Sequence, residues 1–304
     1  MYLHENIELF KKIIEQTQSK TRYAQEVIEK DYYVTMILKL IAEKSIMLGN
    51  VVFKGGTSLS KCHKVIDRFS EDIDITFTEH LGDKRRKKLK YDVMKFISDE
   101  LNMPITNWDT IQSDRDLNAY SFYYEPLFNE NYEALIKGVK VETALASYSF
   151  PTNIMQISSF VGDYLTSTEQ NLVSQYNLEP FEMKVQSLER TFIDKVYATC
   201  DYYLQGKSRR LSRHLYDLHK IYPQIIFDND FKTLAREVKA HRAKLSICPS
   251  AQPDVNISNL IQKYCSEDFY KKDFDIITET LVNEEINYSD VITTMLKIAE
   301  LDIW

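Results

Sequence analysis

Glycine and proline are scarce in this chain, with 7 of each in 304 residues. So few turn formers exclude a loop-rich or low-complexity architecture, and long stretches of 3.6-residue periodicity predict a fold dominated by helix. The four cysteines, Cys62, Cys200, Cys248 and Cys265, stand far apart and form no Cys-x-x-Cys pair. That spacing argues against a zinc site or a disulfide framework and fits a reducing compartment. No His-Glu-x-x-His occurs among the six histidines. No apolar run reaches the roughly 18 residues of a membrane span, and Met1 to Glu5 lacks the basic-then-apolar pattern of a secretory signal. A cytoplasmic protein is expected. A phosphate-binding G-x-x-x-x-G-K-[ST] loop is missing, since Lys54 precedes the glycines instead of following them. Protein-kinase signatures are missing too. The net charge of −7 excludes a nonspecific DNA coat, although a local basic patch could still bind RNA.

What the chain does contain is concentrated between Val51 and Phe77. The apolar run Val51-Val52-Phe53 reads as a buried strand that meets Gly55-Gly56-Thr57-Ser58. Leu59, Cys62, Val65 and Ile66 then recur at helical spacing, and Ile73-Asp74-Ile75-Thr76-Phe77 reads as a second strand. Side chains alternate along a strand, so Asp72 and Asp74 share one face while Ile73 and Ile75 share the other. Two carboxylates beside a glycine-rich helix start can hold a divalent metal and a phosphate together. The backbone N–H groups and helix dipole suit the phosphate, and the carboxylates offer hard oxygens suited to Mg²⁺. In Val139-Lys140-Val141-Glu142 the valines face one way and Glu142 the other. A third carboxylate is what two-metal phosphoryl transfer needs, because two ions about 3.5–4 Å apart outrun two aspartates. An exposed strand glutamate beside Lys140 is the plainer alternative.

Gly-Gly-Thr-Ser-Leu-Ser followed by Arg-Phe-Ser-Glu-Asp-Ile-Asp, from Gly55 to Asp74, resembles the nucleotidyltransferase signature, and more closely the AbiEii/AbiGii family of bacterial toxins. The resemblance runs from Lys30 to about Ile298. It implies Asp72, Asp74 and Glu142 as metal ligands, with Gly55, Gly56, Thr57 and Ser58 around the phosphates of an NTP. Related enzymes often carry Asp where Glu142 stands. The helix Ser187 to Val196 resembles the family's lysine-bearing motif, which implies that Lys195 offsets charge on the departing pyrophosphate. Arg213-His214-Leu215-Tyr216-Asp217 resembles the next motif, and Asp217 would orient Lys195 or contact the nucleotide. Plain alternatives are a Lys195 paired with Asp194 or Glu189 on a wet face, and an Arg213–Asp217 surface pair. Lys30-Asp31-Tyr32 resembles a further motif, and reads equally as a helix start with an acidic first turn.

Helices are expected over residues 5–47, 83–100, 187–204, 211–222, 230–244, 257–265 and 289–301, with meandering strands over 105–146. A loop-rich stretch over 146–185, carrying Pro151, Gly162 and Pro180, reads as the joint between lobes. The fold class is α+β: a nucleotidyltransferase-like mixed sheet with helices over 1–160, then a mainly helical lobe over 161–304. The resemblance places the nucleotide between the lobes. The 20 tyrosines read as core or lobe-interface material. Basic clusters at 84–90, 207–214 and 239–244 read as solvated faces or as a grip on a polyanion.

The function expected is Mg²⁺-dependent transfer of a nucleoside monophosphate from an NTP. By resemblance the acceptor is RNA, tRNA above all, and the chain is the toxin of a toxin–antitoxin or abortive-infection pair with a cognate antitoxin. Two readings stand beside it. One is a non-toxic transferase acting on a small molecule or a protein hydroxyl, and the other is a non-catalytic binding module.

Overall fold

The computed structural model describes residues 1–113, 115–128, 138–148 and 151–304. Part of the meander expected over 105–146, residues 114 and 129–137, lies outside the described residues. The chain divides into two units, Met1–Cys62 with Ser70–Val185, and His63–Phe69 with Gln186–Trp304. The division expected at residue 160 therefore falls at Val185, and a short piece of the first half belongs to the second unit.

The first unit is built on a sheet ordered β3-β4-β2-β1-β6-β5. Its strands are β1 (Val51–Lys54), β2 (Ile73–Phe77), β3 (Leu117–Phe122), β4 (Val139–Tyr148), β5 (Thr152–Ile157) and β6 (Phe181–Gln186). The central pair β1–β2 is antiparallel, whereas β2–β4 and β1–β6 are parallel, which makes the sheet mixed. Ile73, Ile75, Phe77, Val139, Val141 and Phe53 are all buried, so the apolar alternation read from the sequence does face a core. Tyr32 and Tyr120 lie in that core, as expected of the tyrosines.

Helix α1 (Ile7–Gln18) buries Phe10, Ile13 and Ile14, and Asn6 caps it by accepting the Leu9 N–H at 3.2 Å. Helix α2 (Gln25–Lys44) is different, for every residue from Val27 to Ile41 is buried. A helix covered all round belongs to the interior. Its buried charged residues, Glu29, Lys30, Asp31 and Lys39, are each met by a partner in this unit. Lys30 donates to Glu71, and Asp31 accepts from Lys61 and from the Phe160 N–H at 2.8 Å. Lys39 donates to the Asn177 carbonyl at 2.8 Å. Burial pushes the Glu29 carboxyl up to about 7, against the pull of the Leu127 and Phe128 N–H groups. Glu29 to Tyr33 is thus no exposed first turn, since the helix begins at Gln25.

The stretch 146–185 is no joint. Besides β5 and β6 it forms α6 (Phe160–Thr168) and α7 (Gln170–Gln175), all within the first unit. The Ser159 hydroxyl caps α6 by accepting the Gly162 N–H at 2.9 Å. A Cβ at Gly162 would stand 2.9 Å from the Leu178 carbonyl, so this glycine serves close packing instead of a turn. The basic helix is continuous from Asp83 to Glu100, as α4 (Asp83–Lys88), a π-helical turn (Leu89–Met94) and α5 (Lys95–Glu100).

The second unit is helical: α8 (Leu188–Leu204), α9 (Arg213–Ile221), α10 (Asn229–Arg242), α11 (Ile257–Ser266) and, near the end, α14 (Tyr288–Ala299). Between the last two lies a helix the periodicity did not reveal, α12 (Lys271–Asp273) and α13 (Glu279–Leu281) joined by a π-helical stretch, Phe274–Thr278. Phe192, Ile193, Val196, Leu215, Leu218, Ile261, Met295 and Ile298 fill its core. Among the described residues no helix is long and apolar enough to cross a membrane. The α+β plan expected from the sequence is the plan observed.

Burying the Lys30 ammonium commits Glu71 to it, because losing one partner of a buried pair strands the other charge. Lys30→Met should lower unfolding free energy by about 3 kcal/mol in urea titrations. Adding Glu71→Leu should restore most of that loss. A single variant as stable as the wild type would show that the pair does not hold the fold.

Candidate active site

Strand β1 ends at Lys54 and turns directly into α3 (Gly55–Ser58), which continues as a π-helical turn, Leu59–His63. The helix therefore starts four residues earlier than the periodicity implied and stops before Ile66, where Lys64 takes a φ of 55°. Gly55 has a φ of 80°, and a Cβ built on it would stand 1.9 Å from Asp74 Oδ2. Two independent constraints, the left-handed backbone and the carboxylate against its Cα, thus require glycine there. Thr57 and Ser58 are buried, and their hydroxyls are used locally. Ser58 donates to the Gly55 carbonyl at 2.9 Å, while Thr57 donates to the Asp72 carbonyl and lies 3.1 Å from the Ser70 hydroxyl. These bonds fix the turn to the residues that lead into β2. The part of the turn suited to a phosphate is its backbone, since the first N–H groups of a helix have no partner inside it.

Sheet register puts the carboxylates side by side. Asp74 pairs with Glu142 across the parallel β2–β4 ladder and with Lys54 across β1–β2. Residues opposite one another in a ladder point to the same face, so Asp74, Glu142 and Lys54 share a face. Lys140 lies two residues back along β4, on that same face, and Asp72 immediately precedes β2. Asp72, Asp74 and Glu142 are half-buried. As they stand, no three acidic, histidine or cysteine side chains among the described residues are grouped to hold one metal ion. Glu142 instead pairs with Lys140. Burial lowers the Lys140 pKa, but the bond to Glu142 and the fields of Glu142, Asp72 and Asp74 outweigh it and raise it. The face therefore already attracts one cation, and its donors are hard oxygens. In charge and donor type these residues fit a divalent ion such as Mg²⁺.

The second unit carries a separate buried charge cluster. The Ser187 hydroxyl caps α8 by accepting the Arg190 N–H at 3.2 Å, and two turns on Lys195 points inward. Its Nζ donates to Asp217 Oδ2 at 2.7 Å. Arg68, from the short piece that precedes Ser70, clamps the same carboxylate, Nε to Oδ1 and Nη2 to Oδ2, both at 2.7 Å. Such a bidentate fork is among the strongest ways to hold a carboxylate. Burial alone would raise the Asp217 pKa, but Arg68 and Lys195 hold it well below the usual carboxylate range. Burial lowers the Lys195 pKa, with Asp217 opposing and Arg68 adding to the fall. His214 Nδ1 lies 3.3 Å from Lys195 Nζ. Burial, then the charges of Lys195 and Arg213, drive its pKa well below 6.5, so a neutral imidazole accepts from the ammonium. Lys195 is thus not the exposed partner of Asp194, which binds Arg190 at 3.1 Å and Arg242 at 3.4 Å. Arg68 and His214 were not singled out by sequence. Both lay inside quoted motifs, but nothing in one chain tells a clamp from a bystander.

The basic clusters divide once their bonds are traced. Arg85 donates to the His80 carbonyl at 2.6 Å, and Arg86 to the Leu81 carbonyl at 2.7 Å. Lys90 donates to the Ile111 carbonyl at 2.7 Å. These residues hold the basic helix in place. Lys84 and Lys87 are exposed, as are Lys207 and Arg209 in the second unit.

A mixed sheet carrying Asp-x-Asp beside a Gly-Gly-Thr-Ser helix start, with a helical unit after it, defines a nucleotidyltransferase-like protein. The family model described as the AbiEii nucleotidyl transferase toxin of type IV toxin–antitoxin systems matches residues 39–287, and the chain belongs to that family. No curated protein matches the chain.

The contact between Gly55 and Asp74 yields a direct test. Gly55→Ala should cut nucleotide transfer by about 100-fold or more, since displacing a catalytic group by 1 Å can cost that much. Gly82→Ala, where a Cβ meets nothing within 4 Å, should leave transfer unchanged. Equal rates for the two variants would show that Asp74 need not sit against Gly55.

Proposed function

We propose that this chain is a Mg²⁺-dependent nucleotidyltransferase that moves a nucleoside monophosphate from an NTP to tRNA and releases pyrophosphate. It would act as the toxin of a pair with a cognate antitoxin. The observation that carries the chemistry is the sheet register: the β2–β4 pairing sets Asp74 beside Glu142, and the β1–β2 pairing sets it against the Gly55 turn. Asp72, Asp74 and Glu142 would hold the ions, which when bound offset charge on the phosphoryl oxygens. The backbone N–H groups of Gly56, Thr57 and Ser58 donate to the terminal phosphates. Glu142 is suited to accept the proton of the attacking hydroxyl. Lys195, with Asp217 as its partner, is assigned to the charge of the departing pyrophosphate. Family membership supports the transferase and toxin readings.

An RNA acceptor is supported by the exposed cations Lys84, Lys87, Lys207 and Arg209 on an otherwise acidic chain. Arg85 and Arg86 are unsuited to that role, being tied to backbone carbonyls. Incubation with each labelled NTP and total cellular RNA should label a tRNA-sized band, and Asp72→Asn with Asp74→Asn should abolish it. Exchanging Lys84, Lys87, Lys207 and Arg209 for glutamate should raise the KM for RNA by about tenfold or more and flatten its dependence on salt. The KM for NTP should stay unchanged. An unaltered KM for RNA would contradict an electrostatically held polyanion.

A further inference from the structure

The third carboxylate is in register but not in use. Glu142 stands opposite Asp74, yet no metal-holding group of three forms among the described residues, and the Glu142 carboxylate is taken by Lys140. Lys140 and Glu142 lie on one strand two residues apart, which puts both side chains on the carboxylate face. Lys140 is bonded to Glu142 and also feels the fields of Asp72 and Asp74. We propose that Lys140 is a positioning residue, a tethered counter-cation that holds Glu142 away from Asp72 and Asp74 until a divalent ion displaces it. The two cations compete for one field, and the divalent ion displaces Lys140 only above the concentration at which its binding outweighs the Lys140–Glu142 pair. Lys140 thereby sets the metal concentration at which the third carboxylate joins the site. It also neutralises the face in the metal-free protein, where like charges on neighbouring strands would otherwise repel.

This inference rests on the metal-dependent reading above, and Mn²⁺ affinity separates the two. Free Mn²⁺ is measured by electron paramagnetic resonance on the full chain without nucleotide. The wild type should bind Mn²⁺, and Lys140→Met, which keeps the stem, should bind on the order of tenfold more tightly. Lys140→Gln should behave like Lys140→Met, and Lys140→Arg like the wild type. The gain should be clearly smaller in the Glu142→Gln background, because Lys140 acts chiefly through Glu142. Unchanged or weaker binding by both Lys140→Met and Lys140→Gln would overturn the proposal while leaving the metal site standing. So would an equal gain in the Glu142→Gln background. A wild type that binds no more Mn²⁺ than the Asp72→Asn, Asp74→Asn form would overturn the metal reading and this proposal together.

Discussion

The contact between Asp74 and the Cα of Gly55 is the constraint on which the site depends. It exists because β1 and β2 pair antiparallel, bringing the end of one strand beside the second carboxylate of the other. Only a residue without a Cβ leaves room for that carboxylate, and only glycine takes a φ of 80° without strain. The turn, the strand pair and the Asp-x-Asp are therefore one object. Thr57 adds a bond to the Asp72 carbonyl, so both aspartates are referred to the same helix start.

Buried charge is the second theme, and each unit treats it alike. In α2 the charges of Lys30 and Asp31 are matched by Glu71 and Lys61 inside the first unit. In the second unit Arg68 and Lys195 share Asp217. The fork from Arg68 fixes Asp217, and Asp217 in turn fixes the Lys195 ammonium. Such pairs contribute little net stability against apolar replacements but are costly to break singly. Their value lies in the rigid position of the charges.

Much of this was legible in the sequence because two periodicities dominate it. The strands at Val51–Lys54 and Ile73–Phe77 and the helices α8, α9, α10, α11 and α14 follow from apolar spacing. What escaped did so for physical reasons. The stretch 146–185 looked like a joint because Gly162 and Pro180 punctuate it, yet Gly162 is there to pass under the Leu178 carbonyl. The helix from Lys271 to Leu281 hides its period behind a π-helical stretch, which shifts the apolar face. The basic run 84–90 looked like one patch, but Arg85, Arg86 and Lys90 cap local carbonyls, a fate that charge counting cannot show. The first unit reaches to Val185 because β6 pairs with β1, a contact between distant residues with no local signature.

The proposed chemistry is transfer of a nucleotidyl group by a carboxylate face beside a glycine turn. It is tested most directly by supplying the protein, Mg²⁺ and RNA with one NTP labelled at either the α or the γ phosphate. Label from the α position should become covalently attached to RNA while γ label leaves as pyrophosphate. Label from the γ position appearing on the acceptor, or from neither position, would rule out nucleotidyl transfer to RNA.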